Sequence, residues 1–238
     1  MILWFIAAFT AYFVKGLCGF ANTLIFTSIL SFGAANANIS PVDLLLGYPA
    51  NLIITWKDRR SLDPKVFLPL SILVFAGSIP GALLLRNVDA KPIKLVFGLV
   101  VIVLGMEILS REFSKKRARS FKWVLAIIGV TAGMLCGLFG VGALLAAYVS
   151  RVTENDESFK ANISAVFIAD NTFRILLYKA LGLLTLDTIK SVIFLIPYAL
   201  PGLFTGIKCC GQMNDNKVRK ITAVLLLLSG ISLVLKNL

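Results

Sequence analysis

Histidine is absent from all 238 residues. That removes the imidazole that Ser-His-Asp and Cys-His catalytic groups depend on. It also leaves too few ligands for a zinc site of the usual His/Cys kind. Charge is scarce as well: 15% of the residues are charged, against about 25% in a soluble domain. The longest polar stretches are 111–122 and 151–160, too short for a soluble domain of their own. There are four cysteines but no C-x-x-C pair, and Cys209 and Cys210 are adjacent, a poor geometry for a structural disulfide. They read as buried or interfacial thiols. No Walker A pattern is present, so ATP is not the evident drive. The start, "MILWFIAAFTAYF", has neither a basic n-region nor an A-x-A site, and no cleaved signal peptide is expected. No metal and no cofactor are expected, and the chain does not read as an enzyme.

What the chain has is apolar sequence: 58% hydrophobic residues and a mean hydropathy of +0.88. Apolar runs recur throughout, each near the roughly 20 residues a membrane helix needs. The chain therefore reads as an all-α integral membrane protein, multi-pass, in the cell membrane. The net charge of +12 does not point to nucleic acid. The lysines and arginines lie mostly in short loops, where they set membrane orientation. The basic cluster at 115–119 reads as a cytoplasmic linker that also suits anionic lipid heads.

Eight apolar segments are expected, at 2–35, 39–56, 66–85, 92–110, 123–150, 161–186, 188–207 and 218–235. The first and fifth are too long. As single helices they would reach roughly 50 and 42 Å, against a hydrocarbon core of about 30 Å. Both contain glycine breaks. Gly16-Leu17-Cys18-Gly19-Phe20-Ala21 aligns with Gly137-Leu138-Phe139-Gly140-Val141-Gly142. Ala50-Asn51 matches Asp170-Asn171, and Leu62-Asp63 matches Leu186-Asp187. Gly77, Gly81 and Gly105 fall on Gly202, Gly206 and Gly230. The preserved order indicates an internal duplication: one transmembrane domain over 1–238, made of repeat 1 (1–110), a linker (111–122) and repeat 2 (123–238). Between six and eight crossings are expected. Re-entrant first and fifth segments gather most basic residues on one side and invert the two halves, whereas eight full crossings divide them more evenly; the first arrangement fits the positive-inside rule better.

Broken helices near the midplane are where such duplicated transporters bind. Gly16, Gly19, Gly137, Gly140 and Gly142 let the backbone turn or approach a ligand. A half-helix starting after each break would aim free N–H groups and a positive dipole end at an anion. Asn22 and Thr23 add side-chain donors, and Asn22 is also a candidate cap. Asp170, Asn171 and Arg174 sit within segment six, with Asp170 and Arg174 at i, i+4 on one face. Arg174 would attract the anion and Asp170 would take the coupling ion; a structural ion pair is the equal alternative. Asn51 is the repeat mate of Asn171 and a plausible opposing ligand. Lys15 either snorkels or faces the site. Gly77/Gly81 and Gly202/Gly206 have small-xxx-small spacing and read as helix-packing positions.

The ordered motifs resemble those of the TauE/SafE family of membrane transporters, the sulfite or organosulfur-anion exporters. "KGLCGFANTL" at 15–24 resembles the family's first-half K-G-x-x-G-F-G-N-x-L. "GLFGVGALLAAY" at 137–148 resembles its second-half G-L-x-G-V-G-G-P-x-x-x-x-Y. "GSIPGALLLRNVDAKPIKLVFGLVVIVLG" and "LPGLFTGIKCCGQMNDNKVRKITAVLLLLSGISLVL" follow its third and fourth segments in each half, and "DNTFRILLYKALGLLTLD" resembles a subgroup's segment six. The resemblance implies export of a small inorganic or organosulfur anion, such as sulfite or sulfoacetate, across the bilayer. Ala21 stands where the family motif has a third glycine, and Ala143-Leu144 where it has Gly-Pro, which implies a reshaped break. The expected function is a secondary transporter of a small anion by alternating access. An anion channel and an intramembrane thiol oxidoreductase using Cys18, Cys136, Cys209 and Cys210 are the alternatives, the last disfavoured by the missing C-x-x-C.

Overall fold

The computed structural model describes residues 2–30, 36–87, 152–153, 155–213 and 215–237, with isolated helical positions between 95 and 149. Among the described residues there are helices and no strands. The second glycine break (Gly137, Gly140, Gly142), Gly105 and the 111–122 linker lie outside them.

Helix α1 spans Ile2–Cys18. Its small residues Ala7, Ala8 and Ala11 are buried, while Ile2, Leu3, Ile6 and Phe9 are exposed, the division expected of 3.6-residue periodicity. Gly19 N–H bonds the Lys15 carbonyl at 2.7 Å and closes the helix. Gly19 (φ +81) and Ala21 (φ +71) then adopt left-handed backbone. Glycine does so freely, whereas alanine is strained there by about 1–2 kcal/mol. Helix α2, Asn22–Leu30, follows at once and folds back. The Trp4 ring meets Phe26 edge-on at a centroid distance of 5.9 Å, whereas one unbroken helix would hold these residues about 33 Å apart. The first apolar segment is thus a helical hairpin. Gly16, expected in the break, lies inside α1; the turn begins at Gly19.

Helix α3 (Asn36–Lys57), a 3-10 turn (Arg59–Ser61) and α4 (Pro64–Asn87) come next, then α5 (Asp156–Ala180), α6 (Leu186–Cys210) and α7 (Asp215–Asn237). Segment six, expected at 161–186, starts and stops earlier than its apolar run. Asn155 caps the start by accepting from Ser158 N–H at 2.8 Å, and Leu181-Gly182 ends the helix, with Gly182 at φ +71. Thr185 and Thr188 form a capping box that opens α6, satisfying otherwise orphaned backbone donors.

Contacts set the helix directions. Phe5 stacks on Tyr198 at 4.3 Å, Gly202 lies against the Phe9 carbonyl, and Gly206 against that of Phe13. Both sequences rise together, so α1 and α6 are parallel. Helices α3 and α5 are antiparallel. Ser40 meets Tyr178 at 3.2 Å near one end, and Asn162 meets Ser61 and Asp63 at the other. Asn162 is fully buried. Its Oδ1 accepts from Asp63 N–H at 3.0 Å, and its Nδ2 donates to the Ser61 and Ser158 carbonyls at 3.3 and 2.8 Å. Asn162→Ala strips these groups of their partner, and the expected loss is about 2 kcal/mol. A thermal melt of the purified variant in detergent should show a lowered midpoint; an unchanged one would remove this lock from the fold.

Buried charges and a surface rich in large apolar side chains set this chain apart from a water-soluble protein. Lys15, Asp43, Asn51, Ser78, Asp170, Asn171 and Arg174 are buried, while Trp56, Ile72, Leu176, Ile193 and Phe194 are exposed. Intramembrane polar groups face the bundle interior because hydrocarbon cannot solvate them. Helix α6 holds an 18-residue window with a mean hydropathy of 1.6 and is long and apolar enough by itself to cross a membrane, alone among the described helices. Helices α3 and α5 read as more polar because they carry the buried groups of the site.

Candidate functional site

Helix α3 supplies the floor of a small internal pocket. Ser40, Asp43, Leu44, Gly47 and Asn51 line it, spaced by three and four residues and hence on one helical face. Phe167, Asn171 and Arg174 face them from α5, with Lys15 from α1 and Asn22 and Thr23 from α2. The hairpin turn at Gly19–Ala21 is what brings Lys15 and Asn22 together: Lys15 Nζ donates to Asn22 Oδ1 at 2.9 Å. The cavity is about 20 Å³, little more than the space one water needs.

Two cationic groups stand on its walls. Lys15 is 1% exposed and its ammonium lies 5.4 Å from the Phe167 ring centroid, a favourable cation–π distance. Arg174 is 2% exposed. Its Nη2 donates to Tyr178 Oη at 2.8 Å and to Ser40 Oγ at 3.3 Å, and its Nη1 lies 3.8 Å from Asp170 Oδ2. Ser78 Oγ donates to Asp170 Oδ1 at 2.6 Å. Asp43 is the carboxylate in the pocket wall. It accepts from Asn22 Nδ2 at 3.0 and 3.2 Å, from Tyr12 Oη at 3.1 Å, and from Thr23 Oγ1. Asn51 Oδ1 is buried with no hydrogen-bond partner among the described residues.

Of the residues expected at the site, Lys15, Asn22, Thr23, Asn51, Asn171 and Arg174 line this one pocket. Gly16 does not; it lies against the backbone of α6 at Leu203 and Ile207. Gly19 also stands apart. A Cβ there would come within 2.8 Å of Lys160 Cγ, and Lys160 is itself fixed by Asp156 at 2.8 Å and Cys210 Sγ at 2.6 Å. Asp170 sits one turn from Arg174, outside the lining. The pocket also contains three polar or glycine positions that sequence reasoning missed: Ser40, Asp43 and Gly47. Asp43 lies near the start of its apolar segment, where a charge reads as interfacial. The stripe 40, 43, 47, 51 was the available signal. Gly47 matters because a Cβ there would sit 3.6 Å from Tyr12 Oη, 3.7 Å from Asn22 Nδ2 and 3.8 Å from Asn171 Nδ2.

Among the described residues no three Cys, Asp or Glu side chains gather as a metal site requires. The pocket can instead offer a small anion two positive charges and several amide and hydroxyl donors in a site shielded from lipid. A family model described as Sulfite exporter TauE/SafE matches residues 4–233. No curated protein and no solved structure matches the chain.

Proposed function

The chain belongs to the sulfite exporter TauE/SafE family, and on that premise we propose that it is a secondary transporter, working as an exporter, of a small sulfur-containing anion. The family is one of membrane transporters. The observation that carries the reading is the convergence of buried Lys15 and Arg174 with Asn22, Asn51 and Asn171 on one pocket. Buried charges are costly in hydrocarbon and mark a pairing or a functional use.

Alternating access around this pocket would follow from two inverted repeats, each opening with a re-entrant hairpin, and six full crossings. The directions of the helices support that arrangement. Repeat-related segments two and six are α3 and α5, which run antiparallel; eight full crossings would make them parallel. Segments one and seven, α1 and α6, run parallel, a relation that both arrangements give. The packing also crosses between halves. Gly202 and Gly206 receive α1, while Gly133 lies against Val74 and its carbonyl accepts from Ser78 Oγ at 3.1 Å. Domains that exchange their first segments this way suit rocking of one unit against the other.

The test is flux in proteoliposomes loaded with sulfite, thiosulfate, sulfoacetate, sulfate or chloride, with and without a pH gradient. Saturable flux of a sulfur anion is expected; unsaturable conductance would favour a channel, and no anion flux would sink the reading. Gly47→Leu should cut the flux at least about tenfold, because its side chain would more than fill a cavity of about 20 Å³, sized for little more than a water. Flux equal to wild type in a folded Gly47→Leu protein would place the path elsewhere.

A further inference from the structure

We infer that Asp43, rather than Asp170, takes up the proton that accompanies the anion, so that this site loads proton and anion together. The inference rests on the transport reading above. Its basis is the charge arrangement around the pocket. Arg174 has Asp170 as its acidic neighbour at 3.8 Å, and Asp170 is held further by Ser78 and stays outside the lining. Lys15 and Asp43 both line the pocket but are not joined directly; Asn22 lies between them, accepting from Lys15 and donating to Asp43. Counted with all four groups ionised, the two cations and two carboxylates of the empty site balance. An entering anion leaves one negative charge in excess, in surroundings where an uncompensated buried charge is expensive. Asp43 is the carboxylate that faces the anion, so its protonation restores the balance.

The hydrogen bonds around Asp43 suit both of its states. Tyr12 Oη lies 3.1 Å from Asp43 Oδ1 and also 3.1 Å from the Asp43 backbone carbonyl. A hydroxyl can donate or accept by rotating its proton. With Asp43 ionised, Tyr12 and Thr23 donate to the carboxylate. With Asp43 protonated, Tyr12 can donate to the carbonyl and accept from the carboxyl. No heavy atom need move. Asp170 has a hydroxyl of the same kind in Ser78, which also reaches the Gly133 carbonyl; what sets Asp170 apart is its guanidinium neighbour, which can only donate, and its place outside the pocket lining. The charged or titratable groups facing Asp43 from its neighbours are Tyr12 and Lys15 on α1 and Arg174, with Tyr178 and Asp170 behind it, on α5. Helix α2 presents only Asn22 and Thr23, and no titratable group of α6 lines the pocket. The proton comes from water on the side to which the pocket is open, binds an Asp43 carboxyl oxygen, and leaves to water when the anion leaves.

The experiment uses the full chain, purified in detergent and checked for folding by size exclusion. Sulfite binding is titrated calorimetrically between pH 6 and 8 in buffers of different ionisation enthalpy, which counts protons taken up. The titration of sulfite itself is common to all variants and cancels in their differences. Wild type should take up close to one proton more per anion than Asp43→Asn, and its affinity should rise about tenfold more for each unit of falling pH in the range where Asp43 is ionised without anion. Asp170→Asn should keep the wild-type proton count. Tyr12→Phe, which keeps the carboxyl and removes one switchable hydroxyl, should shift the midpoint of the pH profile, and it serves as the deciding variant should Asp43→Asn not fold. Equal proton counts in wild type and Asp43→Asn, or a pH profile unmoved by Tyr12→Phe, would overturn the inference while leaving anion binding intact. Absence of binding of any anion in wild type would instead remove the transport reading and this inference with it.

Discussion

Gly206→Leu should yield no folded protein. The contact is backbone against backbone. A Cβ at Gly206 would overlap the Phe13 carbonyl oxygen and come within 3.0 Å of its carbon and 3.1 Å of Gly16 Cα. No side chain can rotate away to make room. Two turns of α6 and two of α1 share this geometry, since Gly202 faces the Phe9 carbonyl in the same manner. Small residues at such positions let helices approach closely in lipid, where dispersion and weak C–H···O contacts replace the hydrophobic effect between helices. Overpacking a well-filled site costs about 1–3 kcal/mol. Here a leucine must separate two helices along their contact, and the loss should exceed about 3 kcal/mol, a large part of the 5–15 kcal/mol typical of a folded domain. Size exclusion of detergent extracts measures it. Gly206→Leu should be aggregated or absent and Gly206→Ala reduced. Gly211→Ala, whose nearest neighbours would be the Lys208 and Ile207 carbonyls at 3.6 and 3.9 Å, should behave as wild type. A monodisperse Gly206→Leu protein with a wild-type melting midpoint would refute the close α1–α6 contact.

Arg174→Ala should weaken anion binding roughly ten- to hundredfold, the range that losing one or two charge-assisted hydrogen bonds of about 1.5–3 kcal/mol implies. The same change removes the cation beside buried Asp170, which by itself destabilises a protein by about 3–5 kcal/mol. The two effects separate in Arg174→Ala/Asp170→Asn. That pair relieves the stranded carboxylate and should recover much of the melting midpoint, yet anion affinity should stay low. Arg119→Ala, in the 111–122 linker, is the control for general loss of positive charge. Equal affinity losses in Arg174→Ala and Arg119→Ala, or recovery of affinity together with stability in the double variant, would reduce Arg174 to a structural ion pair.

Much of the candidate pocket's lining was legible in the primary structure because polar residues inside apolar segments are conspicuous. Lys15, Asn22, Asn51, Asn171 and Arg174 each interrupt a run of hydrophobic residues. Asp43 was missed because it stands near the start of its run, where a charge at the membrane interface needs no explanation. Gly16 was assigned to the break because glycine pairs weaken helices; its actual neighbour, the α6 backbone, is almost two hundred residues away in sequence and leaves no local trace.

The sequence alone determined that this is a membrane protein of the TauE/SafE kind, that its first apolar segment cannot be one straight helix, and that charged groups lie deep within it. The family follows from the ordered motifs that resemble it; the other properties follow from local composition, length and the cost of polar groups in hydrocarbon. Only the tertiary structure decided which way each helix runs, which glycines serve packing rather than turning, and which carboxylate faces the pocket. These depend on contacts between helices remote in the chain, and hydrophobic periodicity identifies a buried face without naming what it is buried against.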